Sequence, residues 1–212
     1  MTASTVQVRW TRPTFATFGQ ISVLCGFCAG IPVGIEGFVE SLFGVETEAV
    51  FVIWQFQGIR AGVLGIVLAP AIFSMLGGFA ALLFPLFRLG VMAWKGPKLY
   101  FRAESDQALY LSRLRLRSYV KLSAMVGFLA ALFCGILLIV VMATSKVDDY
   151  SVVAVPLLFH GAARLAWVVL ATPLLYGLYS ALLGIFAFVP FRLFTRMMGG
   201  AAIPSREALS CQ

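Results

Sequence analysis

Four stretches of this chain contain no Asp, Glu, Lys, Arg or His: residues 13–35, 61–87, 122–145 and 165–191. Each is longer than the ~20 residues that a helix needs to cross the hydrocarbon of a bilayer. In lipid, such a segment must pair its own backbone groups, and an α-helix does so within one segment. The sequence therefore predicts four transmembrane helices. Residues of the class AVILMFWYC make up 61% of the chain and charged residues 12%. Soluble domains sit nearer half and about a quarter. With a mean hydropathy of +0.96 over 212 residues, little chain is left for a soluble domain. The second and fourth stretches are long enough to tilt or to emerge beyond the headgroups.

The charges between these stretches predict an orientation. Arg9 and Arg12 precede the first. Arg88, Lys95, Lys98, Arg102, Arg113, Arg115, Arg117 and Lys121 fill the connection between the second and third. Arg192, Arg196 and Arg206 follow the fourth, so thirteen of the sixteen Lys and Arg residues belong to one side. The other two connections hold Arg60, Lys146 and Arg164 beside Glu36, Glu40, Glu46, Glu48, Asp148 and Asp149. By the positive-inside rule both termini and the middle connection are cytoplasmic. The net charge of +7 is then a topology signal, and nucleic acid is not an expected partner. The first stretch is too long for the core of a cleaved signal and no A-x-A site follows it, so it is expected to stay as an anchor. The expected location is a cell inner (plasma) membrane, with several passes.

Small residues recur at every fourth position of the first stretch: Ser22, Gly26, Gly30 and Gly34, then Gly37. Ser123, Gly127, Ala131 and Gly135 repeat this 101 residues later. Phe27/Phe128, Ala29/Ala130 and Ile35/Ile136 match at the same offset. At an offset of 103, Glu46 faces Asp149, Gln57-Gly58 faces His160-Gly161, Pro70 faces Pro173 and Phe73 faces Tyr176. The expected fold is an all-α membrane protein of four transmembrane helices, built as two tandem, same-orientation helical hairpins by internal duplication. Their pseudo-twofold axis then runs along the membrane normal. The expected parts are a cytoplasmic N-terminal arm (1–14), hairpin 1 (15–90), a basic cytoplasmic connection (91–118), hairpin 2 (119–194) and a cytoplasmic tail (195–212).

Within the hairpins, the apolar segments 49–56 and 152–159 are too short to cross and are expected at the interface. Pro70 and Pro173 each remove a backbone donor, and are expected to kink the second helix of each hairpin at equivalent depth. In the connection, Ser105 and Asp106 can cap a helix that runs from Gln107 into the third span. The tail after Gly199-Gly200 is expected to be loose.

At 100° per residue, the ladder from Ser22 to Gly37 stays within a stripe of roughly 120°. Small residues let two helices approach closely in lipid. Ser22, Gly26, Gly30, Gly34 and Gly37 are therefore expected to pack span 1 against span 3, through Ser123, Gly127, Ala131 and Gly135. The alternative use of the ladder is contact with another subunit. Cys25 and Cys28 form a C-x-x-C pair inside span 1 and are read as small apolar fillers. His160 is the sole histidine. A zinc site needs about four ligands, so neither metal nor cofactor is expected. Glu36 and Arg60 can form an ion pair at the outer boundary, contributing on the order of 0–1 kcal/mol. Arg113, Arg115, Arg117 and Lys121 form a juxtamembrane cluster suited to anionic lipid headgroups or an acidic partner.

No span holds an ionisable acid or base of the kind that proton- and ion-coupled carriers retain. No phosphate loop or nucleophile motif stands in the polar segments. Enzymatic activity is not expected. Two functions fit. One is a scaffold, assembly or regulatory subunit of a membrane complex, whose partners are other membrane proteins or its own copies. The other is a small channel or carrier for an uncharged or lipidic substrate.

Overall fold

The computed structural model describes residues 5–9, 14–43, 59–93, 98–105, 108–144, 167–197 and 201–204. In chain order its elements are β1 (Thr5–Arg9), α1 (Phe15–Leu42), α2 (Ile59–Leu82), α3 (Phe84–Ala93), β2 (Lys98–Ser105), β3 (Ala108–Leu114), α4 (Leu116–Thr144), α5 (Thr172–Met197) and β4 (Ala201–Pro204). Four helices are long and apolar enough to cross a membrane: Phe15–Leu42, Gly62–Leu82, Leu116–Val140 and Val169–Met197.

Local chemistry fixes the ends of these helices. Thr14 caps α1: its backbone is extended, and its hydroxyl accepts the Thr17 N–H at 3.4 Å. That satisfies one of the free donors of the first turn. The break between α2 and α3 falls at Leu83, two residues before Pro85. Proline has no N–H to continue the ladder, and it suits the first turn of a new helix. The Leu83 carbonyl then accepts from Leu86 and Phe87 at 3.0 and 3.2 Å. A π-helical turn, Trp167–Ala171, leads into α5. Thr172 closes it by donating its hydroxyl to the Trp167 carbonyl at 3.2 Å, next to the donor missing at Pro173.

The largest interfaces are α1 with α2 and α4 with α5. Two smaller interfaces of similar extent, α2 with α4 and α1 with α5, close a ring. The helices α1 and α4 therefore stand on a diagonal and barely touch.

At one end of the bundle lies a four-stranded antiparallel sheet in the order β1-β2-β3-β4. The arm pairs with the connection from Thr5↔Arg102 to Arg9↔Lys98. The two strands of the connection pair from Leu99↔Leu114 to Ser105↔Ala108, with register shifts at Tyr100/Phe101 and Ala103/Ser105. The tail joins through Leu111↔Ala201 and Ala108↔Pro204. The arm, the connection and the tail thus share one side of the bundle.

This sheet corrects two expectations. Residues 108–114 are a strand, not the start of the third span's helix, which begins at Leu116. The tail is anchored at Ala201–Pro204 rather than loose. The physical reason is pairing at a distance. The run Leu114-Arg115-Leu116-Arg117 gives no clean helical face, and β3 gains hydrogen bonds from a partner on each side.

The buried core occupies the sheet-side half of the bundle. Phe18, Ile21, Cys25, Cys28, Phe87, Val91, Tyr119, Leu122, Val126 and Phe191 form one continuous cluster. At its centre, Phe18 stacks on Phe87 at 3.7 Å and the Tyr119 ring leans on Phe191 at 4.6 Å.

Candidate functional site

The small residues fit each span to its sequential neighbour. A Cβ on Gly26 would overlap the Phe73 carbonyl. On Gly30 it would come within 2.5 Å of the Pro70 Cα, and on Gly34 within 2.9 Å of the Gly65 carbonyl oxygen. Gly77 of α2 returns the fit, because a Cβ there would overlap the Ser22 carbonyl. In the other pair, the Ser123 hydroxyl donates to the Ser180 carbonyl at 2.7 Å, and Gly127 leaves room for the Ser180 side chain.

The expected close crossing of span 1 on span 3 is therefore corrected. The ladders bring α1 onto α2 and α4 onto α5, because the ring order places α1 and α4 on a diagonal. A Cβ on Gly37 would meet nothing within 4 Å, so this residue lies outside the contact. Ala131 and Gly135 line a cavity instead.

Pro70 lies inside α2, and Pro173 is the second residue of α5, just after the π turn. Arg115, Arg117 and Lys121 are exposed beside the sheet, and Arg113 falls in β3. Glu36 is exposed at the far end of α1. The Arg60 side chain, His160, Arg164, Cys211 and the segments 49–56 and 152–159 lie outside the described residues. Cys25 and Cys28 are buried in the core, while Cys134 is exposed.

The cavity is the feature that joins all four spans. It holds about 390 Å³, within the usual ligand-pocket range of ~300–1,000 Å³. Cys25, Gly26 and Ala29 of α1 line it with Phe73, Leu76 and Gly77 of α2. From α4 come Ser123, Val126, Gly127, Ala130, Ala131, Cys134, Gly135 and Leu138, and from α5 Thr172, Tyr176, Tyr179 and Ser180. Among the described residues no Asp, Glu, Lys, Arg or His lines it. Its polar groups are hydroxyls and thiols, and the hydroxyls belong to α4 and α5.

Among the described residues no group of three or more His, Cys, Asp or Glu could hold a metal ion. Two buried hydroxyls of the neighbouring core, Ser22 Oγ and Tyr119 Oη, make no well-formed hydrogen bond among the described residues; the Tyr119 hydroxyl has the Cys25 thiol beside it. No protein-family model matches the chain, and neither a curated protein nor a solved structure matches it.

Sequence reasoning missed the cavity. It noticed Phe73 opposite Tyr176 at the 103-residue offset. The same offset also pairs Leu76 with Tyr179 and Gly77 with Ser180. Extending the comparison by those four residues would have exposed a hydroxyl-bearing wall.

Proposed function

We propose that this is a non-enzymatic, multi-pass membrane protein that binds an uncharged, largely apolar molecule between two duplicated hairpins, as a small carrier does. The cavity carries this reading. All four spans contribute to it, and among the described residues no charged residue lines it. A charged head group would enter without a counter-charge, at a cost of several kcal/mol or more. The aromatic cluster of Phe18, Phe87, Tyr119 and Phe191 fills the bundle on the sheet side. That favours a binding site open at one end over a continuous channel.

Repeated contacts support duplication. Phe18 meets Phe84 and Phe87, and Tyr119 meets Phe188 and Phe191. Gly26 approaches the Phe73 carbonyl, and Gly127 the Tyr176 carbonyl. Ser22 adjoins Gly77, and Ser123 bonds Ser180. The offsets are 101 for the first partners and 103 or 104 for the second. In the cavity, Cys25, Gly26, Ala29, Phe73, Leu76 and Gly77 correspond in this way to Val126, Gly127, Ala130, Tyr176, Tyr179 and Ser180, and all twelve are lining residues.

In this reading the sheet faces the cytoplasm of a bacterial-type inner membrane. It gathers the arm, the connection and the tail, and these parts together with the adjoining helix ends hold thirteen of the sixteen basic residues. The exposed Arg88, Arg115, Arg117, Lys121, Arg192 and Arg196 then lie at the level of anionic headgroups.

A second reading, as a scaffold, assembly or regulatory subunit, draws on the outer strands of the sheet. Among the described residues β1 and β4 each have one edge without a partner strand. Such edges can accept a strand of another chain.

Extraction in native-membrane discs, followed by mass spectrometry of lipids and proteins, separates the two readings. A neutral small molecule that co-purifies with the chain and is lost in a folded Ala131→Trp variant supports the cavity. A stoichiometric partner protein with no bound small molecule supports the subunit reading and overturns the carrier.

A further inference from the structure

The cavity has two unlike walls. Where α2 presents Phe73, Leu76 and Gly77, α5 presents Tyr176, Tyr179 and Ser180. Each residue of the second set carries a hydroxyl that its counterpart lacks. Packing accounts for the Gly77/Ser180 difference, since a Cβ on Gly77 would overlap the Ser22 carbonyl whereas Gly127 leaves room for Ser180. It does not require the hydroxyl that Tyr176 adds to the ring it shares with Phe73.

Thr172 spends its hydroxyl on the Trp167 carbonyl, and Ser123 spends its own on the Ser180 carbonyl. The Tyr176, Tyr179 and Ser180 hydroxyls have no hydrogen-bond partner among the described residues. Three hydroxyls thus share one wall of a cavity that is otherwise mostly apolar. Each can both donate and accept. A carbonyl or hydroxyl on a ligand would satisfy them.

Charge narrows the class further. Among the described residues no cation lines the cavity to hold a phosphate or carboxylate. Among the described residues, the Glu36 carboxylate is close enough to Tyr179 to interact with it electrostatically, and it disfavours an anion there. Tyr176 and Tyr179 stay about half exposed, at 55% and 44%, so the hydroxyl wall is reached from the surface of the bundle.

We propose that the cavity takes a neutral amphiphilic lipid, with its hydroxyl or carbonyl head on Tyr176, Tyr179 and Ser180 and its hydrocarbon against Phe73, Leu76 and Ala29. The proposal rests on the binding function given above and names the chemistry of its ligand. It also assigns the halves different tasks: the first supplies the apolar wall, and the second reads the head group.

The test uses the full chain in lipid discs with four photoactivatable probes of equal chain length: an alkanol, an alkane, an alkyl sulfate and an alkylammonium. Wild type should be labelled by the alkanol, at peptides lining the cavity, in preference to the other three. The triple variant Tyr176→Phe/Tyr179→Phe/Ser180→Ala should show about tenfold weaker alkanol labelling. Its alkane labelling should stay at the wild-type level, which also reports that the cavity is intact. Equal labelling by alkanol and alkane, or a triple variant that labels like wild type, overturns the head-group assignment and leaves the cavity as a binding site. Preference for the sulfate or the ammonium probe overturns the neutral class. Cavity peptides labelled by no probe would overturn the binding function itself.

Discussion

Phe18 lies flat on Phe87, with ring centroids 3.7 Å apart and planes inclined by 19°, and both rings are fully buried. One ring opens the first span, and the other stands in α3 beyond the Leu83 break. The stack ties α3 to the bundle and closes its sheet-side end. Truncating either ring leaves a hole that lipid cannot reach, so Phe18→Ala and Phe87→Ala should each cost about 3–5 kcal/mol. Phe15→Ala removes a ring that is 54% exposed and should cost far less. Denaturant titration in detergent micelles measures both. Equal losses at Phe15 and Phe18 would place the core elsewhere.

The small-residue ladder predicts a graded series. Gly30 sits against the backbone of Pro70, where no side chain can yield, whereas Gly37 has nothing within 4 Å of an added Cβ. Gly30→Ala should destabilise the protein by about 1–3 kcal/mol through overpacking. Gly37→Ala should be neutral or stabilising, since alanine gains up to about 1 kcal/mol of helix propensity. Thermal unfolding of the two variants side by side decides it. Loss at Gly37 equal to that at Gly30 would mean that a further subunit covers the outer part of the stripe.

How much of this was legible in sequence follows from range. The spans were, because twenty uncharged residues in a row are a local signal. The stripe Gly26-Gly30-Gly34 was visible too, but not its partner. Whether it meets α2 or α4 depends on ring order, and ring order leaves no periodic trace. The sheet was hidden for the same reason. Thr5-Val6-Gln7-Val8-Arg9 alternates perfectly, yet its partner is Lys98–Arg102, about ninety positions away. The hydroxyls of Tyr176 and Tyr179 become visible only when the halves are aligned and the cavity is known.

Tyr119 tests what an unmet hydroxyl costs. Its side chain is fully buried, and its Oη has no well-formed hydrogen bond among the described residues, with only the Cys25 thiol, a weak partner, beside it. Its counterpart in the first half, Phe18, does the same packing without a hydroxyl. Leaving a buried hydroxyl unpaired costs about 1–3 kcal/mol. Tyr119→Phe should therefore keep the ring contacts with Phe188 and Phe191 and raise the unfolding midpoint. A lower midpoint would show that the hydroxyl is satisfied in the membrane, by water or by a bound molecule.

The sheet makes a prediction about sidedness. Leu111 of β3 pairs with Ala201 of β4, and Thr5 of β1 with Arg102 of β2. Directly opposed residues of antiparallel strands have Cα atoms about 4.5–5.5 Å apart, within reach of a disulfide. In a Cys211→Ser background, Leu111→Cys/Ala201→Cys should oxidise to an intramolecular link with mild copper oxidant. Thr5→Cys/Arg102→Cys should do the same. Moving one cysteine a single residue, to Ala202, turns its side chain to the other face of the sheet and should slow the reaction sharply. Peptide mapping by mass spectrometry reads the links. A linked Leu111–Ala201 pair requires the connection and the tail to be on the same side of the membrane, which fixes an even number of crossings between them. Failure of both pairs, with the cysteines still accessible to maleimide, would remove the sheet and with it the structural support for a shared cytoplasmic side.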